Sequence, residues 1–106
     1  MRWETVARNW VGTTADVRGV VAGPSLIEPD GPPIITSSLS VTLPDGDHWE
    51  ASDNAGDYLC NYIFFRAARR FPERRVCFIH VPPFEVLSPD EQLAELNRML
   101  EQLNPM

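Results

Sequence analysis

The chain has 106 residues, enough for one small domain, and its 43% hydrophobic and 23% charged composition is that of a folded globular protein. Its formal net charge of -6 argues against nucleic acid or an anionic membrane as the main partner, because both require a basic footprint. No apolar run is long enough to span a bilayer, and Met1-Arg2-Trp3-Glu4 has no apolar stretch of the kind a signal peptide carries. Two cysteines without a secretory signal read as free thiols in a reducing compartment, so a cytoplasmic location is expected.

Along the chain, Thr5 to Val11 reads as a short strand, with Val6 and Ala7 apolar and Trp3 and Trp10 near its ends. From Gly12 to about Gly56 the chain is rich in turn formers. Gly23-Pro24, Pro29-Asp30-Gly31-Pro32-Pro33 and Pro44-Asp45-Gly46-Asp47 are strong turn signals, with extended pieces at 18–22 and 34–43. Ser52-Asp53-Asn54 offers capping side chains for a helix running from about Asp57 to Arg70, apolar enough to be buried on more than one face. Arg66, Arg69, Arg70, Arg74 and Arg75 fall at its end and in the following loop, where cations favour the helix dipole. Phe71-Pro72 stops it.

Val76-Cys77-Phe78-Ile79-His80-Val81 is a continuous apolar run closed by Pro82-Pro83, the pattern of a central parallel strand covered on both faces. Ser88-Pro89-Asp90-Glu91 opens a last helix, with Ser at the cap, Pro in the first turn and Glu three positions on. Leu93, Leu96, Leu100 and Leu103 form its apolar stripe. Helix, buried strand, helix is an α/β arrangement.

The chemistry-bearing residues are few. Cys60 lies in the opening turn of the first predicted helix, where unpaired N–H groups and the macrodipole favour a thiolate, while nearby Asp57 opposes it. A buried helix cysteine is the competing reading. His80 lies near the carboxyl end of its strand, where ligands gather in open α/β sheets, or is a core histidine bonded to a polar partner. Strand alternation puts Cys77 on the face opposite His80, as inert packing. His48 reads as an exposed loop residue, and the cysteines and histidines have no metal-ligand spacing. Glu4 is unremarkable by position and matters as the third group that would hold an imidazole in one tautomer.

Taken together these segments resemble a known family. Ala55-Gly56-Asp57-Tyr58-Leu59-Cys60-Asn61, with Phe64-Phe65, is similar to the nucleophile helix of pyroglutamyl peptidase I, also called pyrrolidone-carboxylate peptidase. Phe78-Ile79-His80-Val81-Pro82-Pro83 resembles its histidine strand, and Glu4-Thr5-Val6-Ala7-Arg8-Asn9 its glutamate segment. Gly31-Pro32 through Ser37-Ser38-Leu39 weakly resembles a further stretch. The resemblance implies residues 1–106 as a single, partial domain of this family. It implies a partial three-layer α/β/α sandwich with a mostly parallel sheet, lacking the first strands and the loop that forms much of the family's pocket.

The activity implied is removal of N-terminal pyroglutamyl residues from peptides, with no cofactor and no metal. Cys60 would be the nucleophile, His80 the base and Glu4 the residue that orients it, with Tyr58 and Leu59 lining the lactam pocket. Pyroglutamyl-blocked peptides are the implied partners, with association into a homo-oligomer a further possibility. Two other readings compete: a catalytically silent, truncated homologue kept as an interaction module or gene fragment, and an unrelated small α/β binding protein.

Overall fold

The computed structural model describes residues 1–37, 39, 41–44, 46 and 48–103. Among them the elements are β1 (Arg2–Glu4), β2 (Val6–Arg8), β3 (Ile34–Thr36), β4 (Glu50–Ser52), α1 (Leu59–Arg70), β5 (Phe78–His80) and α2 (Pro89–Leu103). The predicted turn over Pro44 to Asp47 falls partly on Asp45 and Asp47, and the Ser37-Ser38-Leu39 resemblance partly on Ser38, all three outside the described residues.

The strand expected over Thr5 to Val11 is realised as β2 alone, and a further strand, β1, precedes it. Trp3 is the buried centre of β1 and Ala7 the buried centre of β2. Thr5 between them changes sheets: its N–H and hydroxyl both donate to the Ser52 carbonyl (2.7 and 3.0 Å), while its own carbonyl accepts from Ser37 N–H at 2.8 Å. β1 is central in a three-stranded sheet of order β4-β1-β5, and β2 pairs with β3 in a second sheet.

The sheet is mixed, which corrects the mostly parallel expectation. β1 runs parallel to β4 but antiparallel to β5, and β2 and β3 are antiparallel. β5 is also an edge strand, not a central one, and shorter than its apolar run. Continuous apolarity reports cover on both faces; it carries no information on the direction of the neighbouring strand. Cover on both faces is what β5 has. Cys77 and Ile79 join one core cluster with Trp3, Trp49, Met99 and Leu103, and Phe78 joins another with Ala7, Val11, Phe64 and Phe65. The sheet therefore has α2 residues against one face and α1 residues against the other.

β4 has little strand propensity of its own. Pairing with β1 makes it, and Arg2, directly opposite Glu50, meets its carboxylate at 3.1 Å.

α1 starts at Leu59, two residues later than predicted, with Tyr58 at the N-cap position and no side-chain cap. Ser52 and Asn54 spend their hydrogen bonds inside the preceding loop. Ser52 Oγ accepts from Asn54 N–H (3.1 Å) and Asn54 Oδ1 from Gly56 N–H (2.9 Å), while Gly56 takes φ +89°, a conformation glycine adopts without steric cost. Gly12 is required beside this loop: its N–H donates to the Asp57 carbonyl at 2.6 Å, and a Cβ there would overlap the Asp57 side chain. Only one face of α1 is buried, through Asn61, Phe64 and Phe65; Leu59 and Ile63 face outward, contrary to the expectation of burial on more than one face.

The Ser88 cap of α2 forms as predicted: Ser88 Oγ accepts from Glu91 N–H (3.2 Å), and the Glu91 carboxylate accepts from the Ser88 hydroxyl (2.9 Å). The leucine stripe turns inward only in part, with Leu96 half-buried and Leu103 against the core. Leu93 and Leu100 are 60% and 56% exposed, and the buried face carries Gln92, Glu95 and Met99. Hydrogen bonds set this rotation. Gln92 Nε2 donates to the carbonyls of Pro82 (2.7 Å) and Leu87 (3.0 Å), and the Glu95 carboxylate accepts from Trp49 Nε1 (2.7 Å) and Arg98.

Candidate active site

The pairing of β1 with β5 builds the first part of the site. Arg2 lies opposite His80 and Glu4 opposite Phe78, so alternation puts Arg2, Glu4, Phe78 and His80 on one sheet face. From there the Glu4 side chain reaches diagonally to His80, with Oε1 2.9 Å from Nδ1. Glu4 is fully buried, while the His80 side chain keeps 31% of its surface. In the tautomer protonated at Nδ1, His80 donates to Glu4 and carries its basic lone pair on Nε2. The imidazole edge also rests on the Phe78 ring, with centroids 5.0 Å apart. Glu4 Oε2 has no hydrogen-bond partner among the described residues.

α1 supplies the second part. Phe64 stacks on Phe78 at 5.8 Å between centroids, and Cys60 lies one turn earlier on the same side of the helix. α1 thus packs against the sheet face that carries Phe78 and His80. Cys60 is a half-buried free thiol, the second residue of α1, and makes no hydrogen bond to His80 or Glu4 among the described residues. The first bond within the helix runs from Tyr62 N–H to the Tyr58 carbonyl (2.9 Å), so the N–H groups of Leu59, Cys60 and Asn61 precede the hydrogen-bonded ladder. Asp57 lies outside the helix, and no acidic side chain occupies its first turn. Tyr58 is half-buried and Leu59 exposed beside Cys60.

A concavity of about 170 Å³ lies against His80, lined by Met1, Arg2, Glu50, Val81 and Pro82. An apolar groove of about 200 Å³ between β3 and the end of α1 touches none of Glu4, Tyr58, Leu59, Cys60 or His80. Cys77 packs behind the sheet, where burial pushes its thiol upward from the ordinary value. His48 is exposed, and no group of residues suited to a metal ion is present among the described residues. In the basic cluster, Arg66 stacks on Tyr62 and Arg69 forks onto Glu28 (2.6 and 2.8 Å).

Sequence reasoning gave no role to Asn61. It is 1% exposed, and its side chain accepts from Arg8 N–H (2.9 Å) and donates to the carbonyls of Arg8 (2.8 Å) and Trp10 (3.1 Å). A carboxamide inside an otherwise apolar helix face was the available signal.

A two-helix α/β fold with a mixed sheet and a buried acid–histidine pair is the class these observations define. No family model matches the chain, and no curated protein matches it in sequence. Solved structures do. Pyrrolidone carboxyl peptidase from Thermococcus litoralis is 31% identical, with a TM-score of 0.69 over 85% of this chain and 44% of that one. The Pyrococcus furiosus enzyme is 25% identical, with a TM-score of 0.61 over 92% and 50%. Pyrrolidone carboxyl peptidase from Fervidobacterium islandicum AW-1, at 18% identity and a TM-score of 0.72 over 96% and 61%, shows the shared fold. The chain is a relative of the pyrrolidone carboxyl peptidases and spans between 44% and 61% of the length of these three. No helix among the described residues is long and apolar enough to cross a membrane.

Proposed function

We propose that this chain carries the catalytic half of a cysteine-type peptidase that removes N-terminal pyroglutamyl residues from peptides. Residues 1–106 form one partial domain of that enzyme, its layers those of an α/β/α sandwich. The observation that carries this reading is the Glu4–His80 bond at 2.9 Å, with Glu4 fully buried, on the sheet face against which α1, with Cys60 as its second residue, is packed. A carboxylate on Nδ1 holds the imidazole in the tautomer whose Nε2 is the base and stabilises the imidazolium that forms when it takes a proton.

In this reading His80 Nε2 takes the Cys60 proton, and the thiolate attacks the carbonyl of the pyroglutamyl residue. Charge then develops on the carbonyl oxygen, where the free N–H groups at the start of α1 can meet it. The imidazolium, stabilised by Glu4, returns its proton to the leaving amine, and water resolves the thioester by the same base. Tyr58 and Leu59 present aromatic and apolar surface beside Cys60, matched to an uncharged lactam rather than to a free amino terminus. The chemistry calls for no cofactor. Free Cys60 and Cys77 thiols support a reducing, cytoplasmic setting, and exposed apolar side chains support association as a homo-oligomer.

The test is release of a fluorophore from a pyroglutamyl amide, beside Cys60→Ser and an unblocked-amine substrate. Turnover of the blocked substrate alone, lost in the variant, is expected. Equal cleavage of both substrates, or turnover that survives Cys60→Ser, rejects the reading.

A further inference from the structure

We infer that Asn61 is a positioning residue that fixes the height of Cys60 over His80 by clamping the start of α1 to the strand that continues from Glu4. This rests on the proposed thiol–imidazole reading. The Asn61 carboxamide takes both backbone groups of Arg8, its N–H at 2.9 Å and its carbonyl at 2.8 Å, and the Trp10 carbonyl at 3.1 Å. A side chain that gives and receives on the same strand residue acts as a short neighbouring strand and fixes position along β2. Arg8 ends β2, and Thr5, which links β2 to Glu4, is itself tied twice to the Ser52 carbonyl. A rigid path therefore joins Glu4 to the residue after Cys60.

The start of α1 lacks the fixings a helix start ordinarily has. Tyr58 provides no side-chain cap. The Phe64–Phe78 stack and buried Phe65 hold the helix one turn further on, Arg69 on Glu28 holds its end, and the Gly12 N–H bond to the Asp57 carbonyl ties the loop before it, which leaves the first turn itself able to tilt about Phe64. Cys60 lies about 6 Å along the axis from Phe64, so a tilt of about 10° moves its sulfur by about 1 Å. A displacement of that size costs on the order of 100-fold in a reaction between positioned groups. Asn61 supplies the attachment within the first turn, next to Cys60, that opposes this tilt.

A double-mutant cycle tests this in a Cys77→Ser background, where iodoacetamide reports on Cys60 alone. His80→Ala is expected to slow alkylation at about pH 7 by about 10-fold or more when Asn61 is present, and by less than about 2-fold in Asn61→Ala. Asn61→Ser, which keeps a single hydroxyl, serves where Asn61→Ala does not fold. Asn9→Ala is the control. Asn9 is also buried and also clamps one residue's backbone, Glu28, at 2.8 Å through both groups, but it does not adjoin Cys60. It should lower stability and leave the His80 effect intact.

For the pyroglutamyl amide, loss of Asn61 should lower kcat by on the order of 100-fold with little change in KM. An equal His80 effect with and without Asn61, or none in the parent, overturns the inference. Turnover by the parent with an additive cycle overturns the positioning role alone. A coupled cycle without turnover supports the positioning role and rejects the pyroglutamyl substrate.

Discussion

Glu4 has one carboxylate oxygen on His80 and one with no partner, at a site with no solvent exposure. A buried acceptor left unbonded costs about 1–3 kcal/mol, at least as much as a structural hydrogen bond of about 1 kcal/mol returns. Such an arrangement fits a group whose task is to stabilise an imidazolium that forms during reaction. Glu4→Gln keeps the shape and removes the charge. It is expected to lower turnover by about 10²–10⁴-fold while the melting temperature stays level or rises, as steady-state kinetics and calorimetry on the same preparation would record. A melting temperature that falls with activity would make Glu4 a structural residue. The alternation of Cys77 and Ile79 against Phe78 and His80 is legible in the sequence, since side-chain direction along a strand needs no partner. The burial of Glu4 is not, because it follows from β1 being flanked on both edges by strands distant in sequence.

Among the elements, α1 is visible in the sequence from its apolar run and α2 from its cap and periodicity, but their rotations are not. The leucines of α2 at 93 and 100 obey helical spacing, yet the helix turns Gln92 and Glu95 inward because Pro82, Leu87 and Trp49 offer them partners. At the other helix, Arg69 near its end forks onto Glu28, whose backbone Asn9 holds. The hydrogen bonds from Arg69 hold the Glu28 carboxyl below its ordinary value of 4.5, against a smaller opposing effect of desolvation. A carboxyl lowered on folding adds stability above its unfolded value and loses it as pH falls through the lowered one. The fall in melting temperature between about pH 6 and pH 3 should therefore be shallower in Arg69→Leu than in the parent. Parallel profiles would show that the ion pair contributes nothing measurable, as many exposed pairs do.

The whole molecule is a slab of 38 × 34 × 17 Å with a radius of gyration of 15.1 Å. A compact chain of about 100 residues has a radius near 13 Å, so the polypeptide is spread around two small cores rather than one. Large apolar side chains stand on its surface, among them Leu59, Ile63, Phe84, Val86, Leu93 and Leu100. Leu93→Gln with Leu100→Gln should change unfolding free energy by no more than about 0.5 kcal/mol per site, since little burial is lost. The same variant should bind less hydrophobic dye. A large loss of stability would mean that the α2 leucines are covered in solution.

Residues near in sequence settled much on their own: the Ser88 cap, the existence of both helices, the packing of Cys77 and Ile79 to one side and Phe78 to the other, and the Cys60, His80 and Glu4 segments that resemble the peptidases. These depend on contacts a few positions apart or on side-chain alternation. Tertiary structure decided the antiparallel course of β5, the late start of α1, the rotation of α2, and the meeting of Glu4 with His80 across 76 positions. Each of these is a choice of partner between segments far apart in the chain, set by which pairings leave the fewest buried polar groups unbonded, and no periodicity within either segment encodes it.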